Sequence, residues 1–62
     1  MKKKTIKEWR EDKNISREAL AATLGVSLAT IANWEKKPAM MSVLKFFALA
    51  KALGIEPDQI LV

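Results

Sequence analysis

The 62-residue chain makes one domain at most, and a chain of this size buries only about 60% of the surface it exposes when unfolded. It contains no cysteine and no histidine, which excludes disulfides, Cys-ligated zinc and the usual general base and metal ligand. Eleven Lys and Arg against seven Asp and Glu leave a net charge of +4, a balance that attracts polyanions or simply keeps a surface soluble.

The positive side chains crowd the first part of the chain, where Lys2, Lys3, Lys4, Lys7, Arg10, Lys13 and Arg17 face only Glu8, Glu11 and Asp12. Residues 1–4 read as a loose basic arm and 5–62 as the folded domain. A first helix is expected over 5–13, with Thr5 as N-cap and Glu8 three positions on, the pattern of a capping box. Ile6 and Trp9 share its inner face. Asn14 ends it, because Asn tolerates a left-handed backbone. A second helix runs from cap Ser16 to Leu24, with Leu20, Ala21 and Leu24 inward. Gly25 supplies the positive φ of a tight turn. Val26 and Ile31 then bracket cap Ser27 as a hydrophobic staple.

The third helix covers 28–36, with Ile31 and Trp34 inward and Leu28, Ala29, Thr30 and Asn33 outward. Residues 36–41 read as a connecting loop in which Pro38 bars helix continuation. Ser42 caps a fourth helix that stops at Gly54, with a core stripe of Val43, Phe46, Phe47, Ala50 and Leu53. Glu56-Pro57 opens a short fifth helix, and Ile60 and Leu61 close the core. No strand pattern, repeat or low-complexity tract is present. The longest apolar run, 46–50, falls far short of the ~20 residues that a bilayer span needs. The Lys-rich start does not read as a signal peptide, so a cytoplasmic location is expected.

Two serine-capped helix starts separated by one glycine turn, 15–35, form the pattern of a helix-turn-helix. The chain resembles the lambda-repressor and Cro-like (Xre) helix-turn-helix family from about Ile6 to Leu61. The resemblance is carried by Trp9-Arg10-Glu11-Asp12-Lys13, Ile15-Ser16, Ala19-Leu20-Ala21, Leu24-Gly25-Val26-Ser27, Ile31, Trp34-Glu35 and Leu49-Ala50-Lys51-Ala52-Leu53-Gly54-Ile55. It implies an all-α, compact five-helix domain whose second and third helices read double-stranded DNA, commonly as a dimer, to regulate transcription. Arg17 stands where the family usually has Gln. Leu28 and Ala29 stand where many members carry Gln, Arg or Lys, and Met41 replaces a frequent Pro.

Leu28, Ala29, Thr30 and Asn33 are the expected base-reading residues. An Asn amide matches the N6 and N7 of adenine, and small apolar groups match thymine methyls, which points to an A·T-leaning half-site. Leu28 equally fits a packed helix start. Arg17, Ser27, Lys36 and Lys37 are the expected phosphate contacts; Arg17 otherwise pairs with a nearby acid, and the two lysines also complement the dipole at the end of the third helix. Arg10 and Glu35 match a pair that in the family braces the first helix to the end of the third; the alternative for them is DNA contact. Leu44, with Met40, Met41, Ile55 and Val62, is expected to form an exposed apolar patch for a weak homodimer spanning half-sites about one DNA turn apart.

Three function classes compete. The leading one is a sequence-specific DNA-binding regulator, a repressor of phage or mobile-element type. The second is a protein-interaction module on the same scaffold that has lost DNA reading, a view favoured by the apolar Leu28, Ala29 and Ala32. An enzyme is the least credible, because His and Cys are absent, the carboxylates are scattered on helix exteriors and no Gly-rich phosphate loop appears. No cofactor, metal, membrane partner or small-molecule substrate is expected.

Overall fold

The computed structural model describes residues 3–61. Four α-helices follow in order: α1 (Ile6–Asp12), α2 (Arg17–Leu24), α3 (Leu28–Lys36) and α4 (Val43–Leu53). Single 3-10 turns at Pro38–Met40 and Pro57–Gln59 complete the chain.

Every α-helix starts on a hydroxyl cap. The side chains of Thr5, Ser16, Ser27 and Ser42 accept the backbone N–H groups of Glu8, Ala19, Thr30 and Lys45 at 3.2, 3.0, 3.1 and 3.3 Å. Each such cap contributes on the order of 1 kcal/mol by satisfying an otherwise orphaned donor. At α1 the box closes, because Glu8 Oε1 accepts the Thr5 N–H at 2.9 Å.

Three helices end in the same way. Asn14, Gly25 and Gly54 have φ of 56°, 68° and 71°. Just beyond them, the N–H groups of Ile15, Val26 and Ile55 donate back to Arg10, Ala21 and Ala50, each at 3.0 Å. This is the Schellman closure, and it carries the following apolar side chain back onto the core. At Gly25 it produces the abrupt turn between α2 and α3. Ile15, Val26 and Ile55 are all half-buried against the core as a result.

The core comprises Ile6 and Trp9 from α1, Leu20 and Ala21 from α2, Ile31 from α3, Leu49, Ala50 and Leu53 from α4, and Ile60. α2 packs against both α3 and α4. Ala21 lies in this core, where a small side chain lets neighbouring helices approach.

Several expectations are corrected. The fifth helix is a single 3-10 turn, Pro57–Gln59: three residues separate Glu56 from Ile60, where the chain is already extended. The 36–41 loop likewise contains a 3-10 turn, opened by Pro38 at its first position. The inner stripe of α4 is Phe46, Leu49, Ala50 and Leu53, whereas Val43 and Phe47 are 68% and 52% exposed. Both stripes follow helical periodicity; the observed one places Leu49, fully buried, at its centre. Leu61 is exposed, with its N–H engaged by Lys4.

That engagement is an isolated parallel bridge between Lys4 and Ile60. The Lys4 N–H donates to Gln59 O at 3.1 Å, and the Leu61 N–H donates to Lys4 O at 2.8 Å. The Lys4 ammonium sits 4.8 Å from the centre of the Trp9 ring and 3.5 Å from Asp12 Oδ2. Lys4, expected within the loose arm, is thus tied to the domain. Met1 and Lys2 of that arm lie outside the described residues.

Candidate nucleic-acid interface

The sharp turn at Gly25 sets α3 beside the N-terminal end of α2, with one face of α3 open to solvent. Leu28, Ala29 and Asn33 are exposed on that face, while Ile31 is buried beneath it. The Asn33 amide makes no hydrogen bond among the described residues, so its donor and acceptor remain available for a base edge. Leu28 is 47% exposed, which divides it between the two expectations for it: part of its surface packs and part faces outward.

Thr30 is half-buried, and its hydroxyl lies 2.9 Å from that of Ser27. Ser27 Oγ also accepts the Thr30 N–H. The two hydroxyls hold two O–H donors and use one between themselves, so the pair keeps a single donor for an outside acceptor. The Ser27 and Thr30 hydroxyls therefore share one free donor between them.

An open cleft of about 700 Å³ runs along the leading edge of this face. Leu28, Ala29 and Ala32 of α3 form one side, and Ser16, Arg17 and Glu18 at the start of α2 the other, with Lys7, Arg10 and Glu11 of α1 nearby. At the opposite end of α3, Lys36 and Lys37 are exposed and border a second depression with Asn33 and Met40. Cations are thus present at both ends of the exposed helix face, mixed at the α2 end with Glu11 and Glu18.

Behind the face lies a charge cluster that joins three helices. The Glu35 side chain, at the end of α3, is 5% exposed. Arg10 Nε donates to Glu35 Oε2 at 2.7 Å, and Arg10 Nη1 to the Ile15 carbonyl at 3.1 Å. Arg17 Nε donates to Glu35 Oε1 at 3.0 Å, with Arg17 Nη2 also 3.0 Å away. Arg10 and Glu35 are therefore paired inside the protein, and Arg17, 45% exposed, pairs with an acid as well. That the acid is Glu35 was not evident from the sequence, since the two residues are 18 positions apart and no periodic pattern links them.

The apolar patch is displaced from its expected position. Leu44 and Met40 are 82% and 70% exposed, but Met41 and Ile55 are half-buried against the core. The Schellman closure after Gly54 turns Ile55 inward. Val43 and Phe47, one turn apart on α4, take their places beside Leu44. Val62 lies outside the described residues.

Four helices, a glycine turn between α2 and α3, and an uncovered α3 face with cations at both ends define a helix-turn-helix domain. The profile of the family described as Helix-turn-helix matches residues 6–60, and the chain belongs to that family, in its Cro/C1-type, Xre-like form. The family is one of DNA-binding regulatory domains. No curated protein and no solved structure matches the chain. No described helix is long and apolar enough to cross a membrane.

Proposed function

We propose that this protein is a sequence-specific repressor of phage or mobile-element type, acting in the cytoplasm by laying α3 in the major groove of an operator. The observation that carries this reading is the uncovered Leu28–Ala29–Asn33 face with Arg17 before it and Lys36 and Lys37 behind it. A major groove about 12 Å wide admits one helix, and phosphates border it on both sides. Asn33 would read adenine, Leu28 and Ala29 would contact thymine methyls, and the Ser27–Thr30 pair would give its one donor to a phosphate or base. Arg17, Lys36 and Lys37 would supply charge-assisted phosphate contacts, and with them most of the affinity. Repression would be steric, through a protein occupying the site that polymerase needs. A weak twofold dimer through the exposed Leu44 side of α4 would pair two half-sites.

Selection of bound duplexes from random sequence tests the reading. The expected result is an enriched half-site with A·T pairs opposite Asn33 and binding that weakens by orders of magnitude as salt rises. Enrichment of no sequence, or of G·C at that position, defeats the assignment.

The exposure of Leu28, Leu44 and Phe47 favours a second reading, a protein-interaction module. Association through such a surface would strengthen and not weaken in kosmotropic salt such as sulfate, so the same titration separates the two.

A further inference from the structure

We propose that Glu35 is a positioning residue for Arg17, holding its guanidinium ready for a DNA phosphate, while Arg10 offsets the Glu35 charge so that the cluster keeps one net positive charge. The proposal rests on the reading that the α2–α3 face binds duplex DNA. Its basis is the sharing of one carboxylate by two arginines. Glu35 gives Oε2 to Arg10 and Oε1 to Arg17. Two cations on one anion leave this group with one positive charge in excess, which a phosphate oxygen can offset; Glu11 and Glu18 line the same cleft, but neither pairs with Arg17 among the described residues.

The donors show why Glu35 would assist and not compete. A guanidinium carries five N–H donors. Arg17 turns its Nε edge to Glu35, with Nη2 alongside, and its Nη1 has no acceptor among the described residues. A phosphate can therefore join at Nη1 without Glu35 letting go. Arg17 also borders the open cleft beside Leu28 and Ala29, where a DNA backbone following the groove would pass. A free arginine loses rotamer entropy when a ligand immobilises it; one already held by a carboxylate has lost most of it on folding. Arg10 also lines the cleft, but its side chain is 11% exposed against 45% for Arg17 and is tied to both Glu35 and the Ile15 carbonyl, so Arg17 is the better placed of the two for a phosphate.

The test is a double-mutant cycle on binding of a short duplex selected by the wild-type protein, measured across a salt series. The four proteins are wild type, Arg17→Ala, Glu35→Gln and the double variant, each checked for helicity by circular dichroism. Glu35→Gln makes the protein more positive and so favours DNA in general; the cycle subtracts this gain because it is present in both backgrounds. The expected coupling is on the order of fivefold, with Glu35→Gln weakening binding relative to its effect beside Arg17→Ala. Arg17→Ala should also lower the slope of log affinity against log salt by roughly 0.9, the loss of one phosphate contact. Equal effects of Glu35→Gln in both backgrounds overturn the proposal, as does tighter binding that depends on Arg17, the mark of competition.

Arg17→Lys guards against a Glu35 variant that fails to fold. Lysine keeps the charge but lacks the second, divergent edge of donors. It should keep the wild-type salt slope and bind several-fold more weakly; wild-type affinity overturns the proposal. Absence of wild-type binding at low salt removes the DNA reading and this proposal together, whereas wild-type binding without coupling removes this proposal alone.

Discussion

The Trp9 indole N–H donates to the Gln59 carbonyl at 2.8 Å, across 50 positions of sequence. The same carbonyl accepts the Lys4 N–H at 3.1 Å, so one oxygen gathers the start of the chain, α1 and the last 3-10 turn. Trp9→Phe removes the donor and also part of the buried indole, because a single ring is smaller than the bicycle. Lys4 still satisfies the carbonyl, so most of the expected cost, about 2 kcal/mol, comes from lost packing. In a domain of this size each kcal/mol lowers Tm by roughly 4–8 °C, measurable by thermal unfolding followed by circular dichroism. An unchanged Tm would remove Trp9 from the core in solution.

The Glu35 cluster predicts an asymmetry between its two buried partners. Glu35→Ala leaves the Arg10 guanidinium with only the Ile15 carbonyl, and stranding a buried charge should cost about 3 kcal/mol. Arg10→Met retains much of the packing and leaves Glu35 still paired with Arg17, so it should cost less. The combined variant should be more stable than Glu35→Ala alone. Urea unfolding of the three variants checks the order, and strict additivity would show that the pair is not coupled.

α4 offers a sharp contrast between two aliphatic side chains six positions apart. Leu49 is fully buried, and Leu49→Ala should cost about 3 kcal/mol through lost burial and the cavity left behind. Val43 is 68% exposed, and Val43→Ala should change stability by no more than about 0.5 kcal/mol. Denaturation midpoints of the two variants decide which stripe of α4 faces the core in solution.

Leu44, 82% exposed at the start of α4, bears on assembly. Leu44→Glu should leave the fold intact and abolish the proposed weak self-association. Sedimentation of both proteins over a range of concentrations gives the answer; the same behaviour for both removes Leu44 from any interface.

Much of this architecture was legible because its local signals agree. A hydroxyl residue stands before each helix and Asn14, Gly25 or Gly54 closes three of them, so the boundaries could be read directly from cap chemistry. The exposed face of α3 followed from its periodicity. The phase of α4 did not, because Val43, Leu44, Phe46, Phe47, Ala48, Leu49 and Ala50 are apolar nearly all round and two stripes fit equally. The short last turn was read as a helix because Pro57 is also a favourable helix start. Two features left no trace in the pattern: the sharing of Glu35 by Arg10 and Arg17, and the pairing of Lys4 with Ile60. Both depend on chain segments meeting in three dimensions, the first through buried charge and the second through a bridge one residue long.

The Lys4–Ile60 bridge also governs how the domain would respond to tension. Its two segments run parallel, so opposite pulls on the two ends would slide them past each other and load both hydrogen bonds at once. An antiparallel clasp in the same place would unzip one bond at a time. Two hydrogen bonds on one residue, Lys4, to Gln59 and Leu61, would thereby act as a lengthwise mechanical latch on a small fold.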